Sequence, residues 1–348
     1  MGLDSLHQQG YTGDSVKIAI IDIGFYRADT HFASHIVDTF DLLPDTLTHH
    51  PYKGIYADSN ETHGTCCLST ILGDSVYEGT APGAQFYLFR TEDWRFENRA
   101  EVDRLARAIY MADSLDVDVI TISLGYGAGH FNDPTQEYPW SALNGTTTPV
   151  AIAASDVGQR RIICVAMGND GADTTKWYHL ATPADAFHIL SVGALDSACT
   201  SPASFSSYGP TADGRRKPEV SAWGQRTRIW NPSTGRWSRG NGTSFATPEM
   251  AGLMACLRQA RPDLSPADLR DAVIRSASRY TLPDSAFNYQ MGYGVPNAAY
   301  ALRILSELHP TWLTSTPQQA ERGIKFLRNG VIYIRRGEHI YTLSGQRL

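Results

Sequence analysis

Val16-Lys-Ile-Ala-Ile-Ile-Asp22, continued by Ile23-Gly24, is a β-branched apolar run that ends on a carboxylate. Such a run reads as a strand buried on both faces, which belongs in a parallel sheet. Similar runs recur at Gln85 to Arg90, Val117 to Leu124, Arg161 to Ala166, His188 to Gly193 and Lys217 to Ala222. Between them, Glu101 to Leu115 sets Val102, Leu105, Ala106, Ile109 and Tyr110 at helical spacing, and Ser265-Pro266 offers an N-cap and a first helical residue. Strand and helix in alternation predict an α/β fold of three layers, with a central, mostly parallel sheet covered on both faces. In such sheets ligands gather beyond the carboxyl ends of the strands, so polar residues that directly follow a strand, Asp22 and Asn169 among them, are the first functional candidates.

The whole chain is consistent with that reading. It has 348 residues, 42% hydrophobic and 19% charged, which excludes disorder and coiled coil. Thirty Lys+Arg against 36 Asp+Glu leave a net charge of −6 with no basic stripe, so nucleic acid is not an expected partner. The longest apolar run, around Met250 to Leu257, falls short of the roughly 18 to 20 residues that span a bilayer, so no membrane span is expected. Met1 to Gln9 show neither the basic start nor the apolar stretch of a signal peptide, leaving either a cytosolic protein or a chain that begins after export. Cys66, Cys67, Cys164, Cys199 and Cys256 show no C-x-x-C spacing and read as buried small thiols with one optional disulfide. Past Pro310 the composition changes. Residues 311–323 read as a polar linker, and 324–348 as a small β-rich C-terminal appendix with turn signals at Asn329-Gly330 and Arg336-Gly337. The main domain is therefore expected over residues 1–310.

The chemistry concentrates in Asn241-Gly-Thr-Ser-Phe-Ala-Thr-Pro-Glu-Met-Ala-Gly252. Gly242 permits a sharp turn and close approach of a substrate, while Pro248, tolerated in the first turn of a helix, is expected to put Ser244 at the helix N-terminus. A serine there is an ordinary cap, or a nucleophile whose own N–H helps hold an oxyanion. As a nucleophile it needs a histidine base and a group that fixes the histidine's tautomer. His63 opens the helical string Thr62-His-Gly-Thr-Cys-Cys-Leu-Ser-Thr-Ile-Leu72, and Asp22 ends a strand.

Asp-Ile-Gly (22–24), His-Gly-Thr (63–65) and Gly-Thr-Ser-Phe-Ala-Thr-Pro (242–248), in that order, resemble the subtilisin family of serine peptidases. Ser123-Leu-Gly125 is similar to that family's substrate-aligning strand, Met167-Gly-Asn-Asp-Gly171 to its oxyanion loop, and Phe205 to Pro210 with Asp213 to Glu219 to its late loops. The resemblance covers roughly Leu6 to Leu305. It implies a subtilisin-like three-layer fold and an endopeptidase acting on peptide or protein substrates. Ser244 is implied as nucleophile, His63 as base and acid, Asp22 as the group that orients it, and Asn169 as oxyanion donor. Ser123, Leu124, Gly125 and Gly168 are implied to line the substrate cleft. A backbone-pairing strand there selects little by sequence. Gly125, Gly127 and Gly129 form a G-x-G-x-G, but no helix start follows to support a nucleotide site.

Three features depart from the family. The segment Gly73 to Glu78 is short and lacks the asparagine-bearing calcium loop, so no metal ligands are assigned, no cofactor is expected to be required, and a structural calcium is doubtful. The acidic stretch Glu92 to Asp103 reads as a solvated helix start, or as a subsite in which Glu92 or Glu97 favours a basic residue or a free amino terminus. Nothing before Asp22 is long enough for the inhibitory propeptide that the resemblance implies as a partner. Several strings, among them Arg90 to Asp93 and Tyr208 to Gly214, look most like secreted subtilases of Bacteroidetes, which implies a secreted, cell-surface or periplasmic protein. Two other readings stay open: a catalytically silent subtilase fold that binds peptides, and an exopeptidase or processing protease.

Overall fold

The computed structural model describes residues 1–43 and 55–308, and the backbone of three strands between 324 and 342. The chain forms two compact units, Met1–Leu305 and Ser306–Leu348. In the first unit the strands are β1 (Lys17–Asp22), β2 (Ile36–Asp41), β3 (Gln85–Arg90), β4 (Val119–Ile122), β5 (Ile162–Ala166), β6 (Leu190–Leu195) and β7 (Val220–Trp223). They make one sheet in the order β2-β3-β1-β4-β5-β6-β7. Each neighbouring pair is parallel, with β1 in register between β3 (Ile20 opposite Leu88) and β4 (Ile20 opposite Thr121).

Two single turns, α1 (Asp4–His7) and α2 (Ala28–His31), precede the long helices α3 (His63–Leu72), α4 (Arg99–Ser114), α5 (Pro149–Val157), α6 (Thr243–Ala260), α7 (Pro266–Arg275) and α8 (Ala298–Leu308). The alternation of β1 assigns the layers. Ile18 and Ile20 enter one core with Leu68 of α3, Met250 and Leu253 of α6 and Leu269 of α7. Ala19 and Ile21 enter the other with Val102 and Leu105 of α4 and Ala154 of α5. These side chains are almost wholly buried, so the sheet is covered on both faces, as its apolar strands require.

Caps fix the helix starts. Asn98 and Glu101 form a capping box on α4, and Ser265 with Asp268 forms another ahead of Pro266 on α7. A two-stranded antiparallel hairpin, β8 (Gln225–Asn231) with β9 (Arg236–Asn241), leads directly into α6.

In the second unit, β10 (Ile324–Arg328), β11 (Val331–Arg336) and β12 (His339–Thr342) form an antiparallel sheet. Residues 311–323 and the Asn329-Gly330 turn lie outside the described residues. The five cysteines are free thiols, and Cys199 is exposed, unlike the other four. Its place in the turn after Asp196, where its N–H meets the Asp196 carbonyl, keeps it from any core.

Candidate active site

The chain reverses its direction across the sheet at β1, with β3 on one side and β4 on the other. Such a switch opens a crevice beyond the strand ends. A cleft of about 540 Å³ lies there, lined by His63, Ser123, Gly125, Gly168, Asn169 and Ser244, with Leu124 and Glu92 among the further lining groups.

Asp22, the last residue of β1, is fully buried. Its Oδ1 accepts from Ile23 N at 2.8 Å and meets His63 Nδ1 at 2.7 Å. His63 is the first residue of α3, which sits close because Gly24 and Gly64 let two backbones touch. A Cβ on Gly64 would lie 2.5 Å from the Gly24 carbonyl oxygen. Burial disfavours a charged His63 ring, but the Asp22 carboxylate outweighs it, and the histidine is lifted well above its ordinary 6.5. With Nδ1 held, Nε2 is the ring atom left for proton transfer.

Ser244 is the second residue of α6, where backbone N–H groups have no helical acceptor. Pro248 does not occupy the first turn, as expected from sequence, but lies inside the helix. A proline there has no N–H for the carbonyl four residues back, which is that of Ser244. That carbonyl accepts instead from Ser123 Oγ at 2.8 Å and from Cys67 Sγ at 3.3 Å. The proline thus frees a carbonyl by which α6 is tied to the end of β4 and to α3. Ser244 Oγ in turn donates to Ser123 O at 3.3 Å. In this rotamer the hydroxyl points to the strand rather than to His63, although both line the same cleft.

Asn169 follows β5 on an exposed turn. Its Oδ1 accepts from Thr243 N at 2.8 Å and Thr243 Oγ1 at 3.0 Å, which leaves the amide nitrogen for the cleft. Gly168 just before it has φ +105°, and a Cβ there would press on Ser207 Oγ at 2.8 Å. The turn therefore depends on glycine. The structure thus gathers Asp22, His63, Ser123, Leu124, Gly125, Gly168, Asn169 and Ser244 at one site.

Sequence reasoning missed Thr243, which aims Asn169, and the pairing of Tyr126 with Glu92, whose carboxylate accepts from the tyrosine hydroxyl at 2.5 Å. Thr243 lies inside the quoted serine motif, so the signal for it was present; nothing local linked Tyr126 to Glu92. His130 was also unmarked. Its Nδ1 meets Gly125 O at 3.1 Å and its Nε2 lies 3.4 Å from Asp170, closing one side of the cleft. The acidic stretch is not a solvated helix start. Glu92, Asp93 and Glu101 are buried, and Glu92 and Glu97 line the cleft. The helix start turns its acids inward because Glu101 caps the backbone of Asn98 and Asp93.

Among the described residues, Asp22, His63 and Cys67 could together reach one metal ion. Asp22 Oδ1 and His63 Nδ1 already engage each other there, while Asp22 Oδ2 meets no donor among the described residues. In the short Gly73–Glu78 turn, Asp74 accepts from Val76 N at 2.7 Å and Trp237 Nε1 at 2.6 Å, so this carboxylate serves protein donors.

A family model described as the subtilase family matches residues 13–294. The chain is 30% identical over 322 residues to the subtilisin-like protease SBT6.1 of Arabidopsis thaliana, covering 89% of this chain and 28% of the plant protein. It is 28% identical over 322 residues to the membrane-bound transcription factor site-1 protease of Homo sapiens, covering 88% of this chain and 27% of the human protein. The chain thus spans just over a quarter of the length of these relatives. To the subtilisin of Bacillus pumilus it is 30% identical over 291 residues, 83% of this chain and 92% of that one. Among solved structures, the PatG macrocyclase in complex with peptide superposes with a TM-score of 0.66 at 21% identity, covering 87% of this chain and 95% of that one, a likeness of fold.

Proposed function

The chain belongs to the subtilase family of serine peptidases, and from that premise we propose that it is an endopeptidase that hydrolyses peptide bonds through an acyl-enzyme on Ser244. The observation that carries the proposal is the 2.7 Å contact of a fully buried Asp22 with His63, at the mouth of the cleft that also holds Ser244 and Asn169.

An extended substrate pairs its backbone with Ser123–Gly125, which places the scissile carbonyl over Ser244. Rotation about the Ser244 side-chain bond moves Oγ from the Ser123 carbonyl to His63 Nε2, which takes the proton as Oγ attacks. Negative charge then builds on the carbonyl oxygen. The Asn169 amide and the Ser244 N–H are donors fixed before the reaction, so they stabilise that charge without reorganising. His63 next delivers its proton to the departing amine, and Asp22 stabilises the imidazolium in between. Water enters by the same route in reverse and releases the acyl group from Ser244.

No cofactor takes part in this scheme, and chelation of divalent ions is expected to leave the initial rate unchanged. A propeptide is the proposed occupant of the cleft before activation. The proposed place of action is outside the cytoplasm, supported by the resemblance to secreted subtilases. No helix among the described residues is long and apolar enough to cross a membrane.

Hydrolysis of an unfolded protein by the wild type and by Ser244→Ala tests the proposal. The variant should lose about 10⁶-fold in kcat, a magnitude carried over from subtilisin itself rather than drawn from this geometry. Equal activity of the two would end the acyl-enzyme reading.

A further inference from the structure

Beside the reacting groups the cleft contains an acidic corner that the scheme above does not use. Glu92 directly follows Thr91 at the end of β3, and its side chain is 6% exposed. One carboxylate oxygen accepts from Tyr126, one residue beyond Gly125. No donor among the described residues meets the other oxygen. Glu97 lines the same cleft, and Glu101 lies behind it.

Three carboxyls so close must keep protons or meet positive charge, and Glu97 and Glu101 are hydrogen-bonded to each other. The surrounding bases are largely committed elsewhere. Arg90 pairs with Asp41 and Glu61, and Arg95 with Asp93. Arg99 stacks on Tyr138. Arg104 donates to the Thr91 carbonyl and comes only to 3.7 Å of Glu101. His130 is held by Gly125 O and Asp170, and His63 by Asp22. The corner is therefore a buried acidic site with too few cations of its own, which keeps its protons until a cation enters from the substrate cleft.

We propose that Glu92 and Glu97 form a specificity subsite for a lysine or arginine side chain in the acyl half of the substrate, within four residues before the scissile bond. The proposal rests on the peptidase reading above. The position follows from connectivity. In the proposed pose Ser123–Gly125 hold the acyl half of the substrate, and Tyr126 continues that segment beyond Gly125, away from Ser123, which bonds the Ser244 carbonyl. A cationic side chain reaching the corner replaces water around Glu92 with a charge-assisted hydrogen bond.

Burial pushes Glu92 up to about 8, with Glu97 and Asp22 adding to the rise and Tyr126 and His63 opposing it. Burial likewise raises Glu101 to about 9, helped by Glu92 and Glu97. Binding a cation therefore expels a proton. The advantage of a basic substrate should grow as pH rises through this range, because fewer protons remain to be displaced.

The test uses one quenched fluorescent peptide sequence in which a lysine is stepped through the four positions before the scissile bond, each compared with norleucine at the same position. At one position lysine should give about 10-fold higher kcat/KM than norleucine, carried by KM, as expected for one partly buried charged hydrogen bond. The lysine-to-norleucine ratio should fall towards one in Glu92→Gln and, separately, in the less buried Glu97→Gln. It should also rise with pH in the wild type only. A purely structural role for either glutamate would change both peptides together and leave the ratio alone. Ratios near one at all four positions in the wild type, or a preference that survives both variants, overturn the subsite. Cleavage of the norleucine peptides in that case leaves the peptidase reading standing. If no peptide is cleaved, fluorescence anisotropy of the same peptides on Ser244→Ala reads the ratio as binding.

Discussion

Two corners of one cleft bury carboxylates equally well and put them to opposite uses. Asp22 meets a backbone N–H and the imidazole of His63. Glu92 and Glu101, as deeply buried, meet a tyrosine hydroxyl, backbone N–H groups and an arginine 3.7 Å away. The first corner contains its own partner for charge, which in the proposed reaction carries the proton. The second has only that one distant arginine for its carboxyls, holds its protons and is available to a cation from outside. Burial alone says nothing about function; the charge of the partner decides it.

The largest break in this contrast comes from Asp22→Asn. It keeps the shape of the first corner while removing its charge and favouring the wrong tautomer, and kcat should fall about 10⁴-fold. The second corner should still favour lysine over norleucine on the same peptides, since Asp22 acts on Glu92 only through its charge at a distance. Asn169→Ala, which belongs to neither corner, should lower kcat about 10² to 10³-fold with KM little changed, the range known for a lost oxyanion donor in subtilisin. Steady-state kinetics that showed a rise in KM instead would make Asn169 a binding group.

The pH profile sharpens the comparison further. His63 must be neutral to act as base, and its ionisation is displaced above 6.5. In kcat/KM for a norleucine peptide, activity should therefore fall by about tenfold per pH unit below a midpoint that lies above 6.5. The smallest effect concerns stability. Glu92 is raised from 4.5 to about 8 on folding, so the native state binds more protons than the unfolded chain between those values. Stability contributed by this group is present at low pH and lost as pH rises through about 8. Glu92→Gln should flatten that loss, seen as a few degrees less decline in Tm between about pH 5 and 8 than in the wild type.

The layers, and the residues that meet at the cleft, were legible because they depend on local signals. Five apolar runs marked buried parallel strands to within about two residues, and motifs placed Asp22, His63 and Ser244. Two elements escaped. Strand β2, Ile36–Asp41, is a half-exposed edge whose polar residues blur any period. The β8–β9 hairpin sets Arg228 opposite Arg239, and the guanidinium of Arg228 lies over Tyr77 and Trp237, a pattern that charge and hydropathy alone do not reveal. The acidic corner was half read. The sequence offered Glu92 and Glu97 as subsite groups but favoured solvent, since the partner that draws Glu92 inward, Tyr126, is 34 residues away. Pro248 was misplaced for a related reason: the carbonyl it frees is satisfied by Ser123 and Cys67, from two other elements.

Every step of the proposed reaction depends on Ser244 being an activated nucleophile. Labelling the folded protein with a fluorophosphonate and mapping the adduct by mass tests it most directly, with Ser244→Ala as control. One adduct is expected, on Ser244, absent from the variant. A folded protein with an open cleft that takes up no label at Ser244 would contradict it, and would leave a subtilase fold that holds peptides without cutting them.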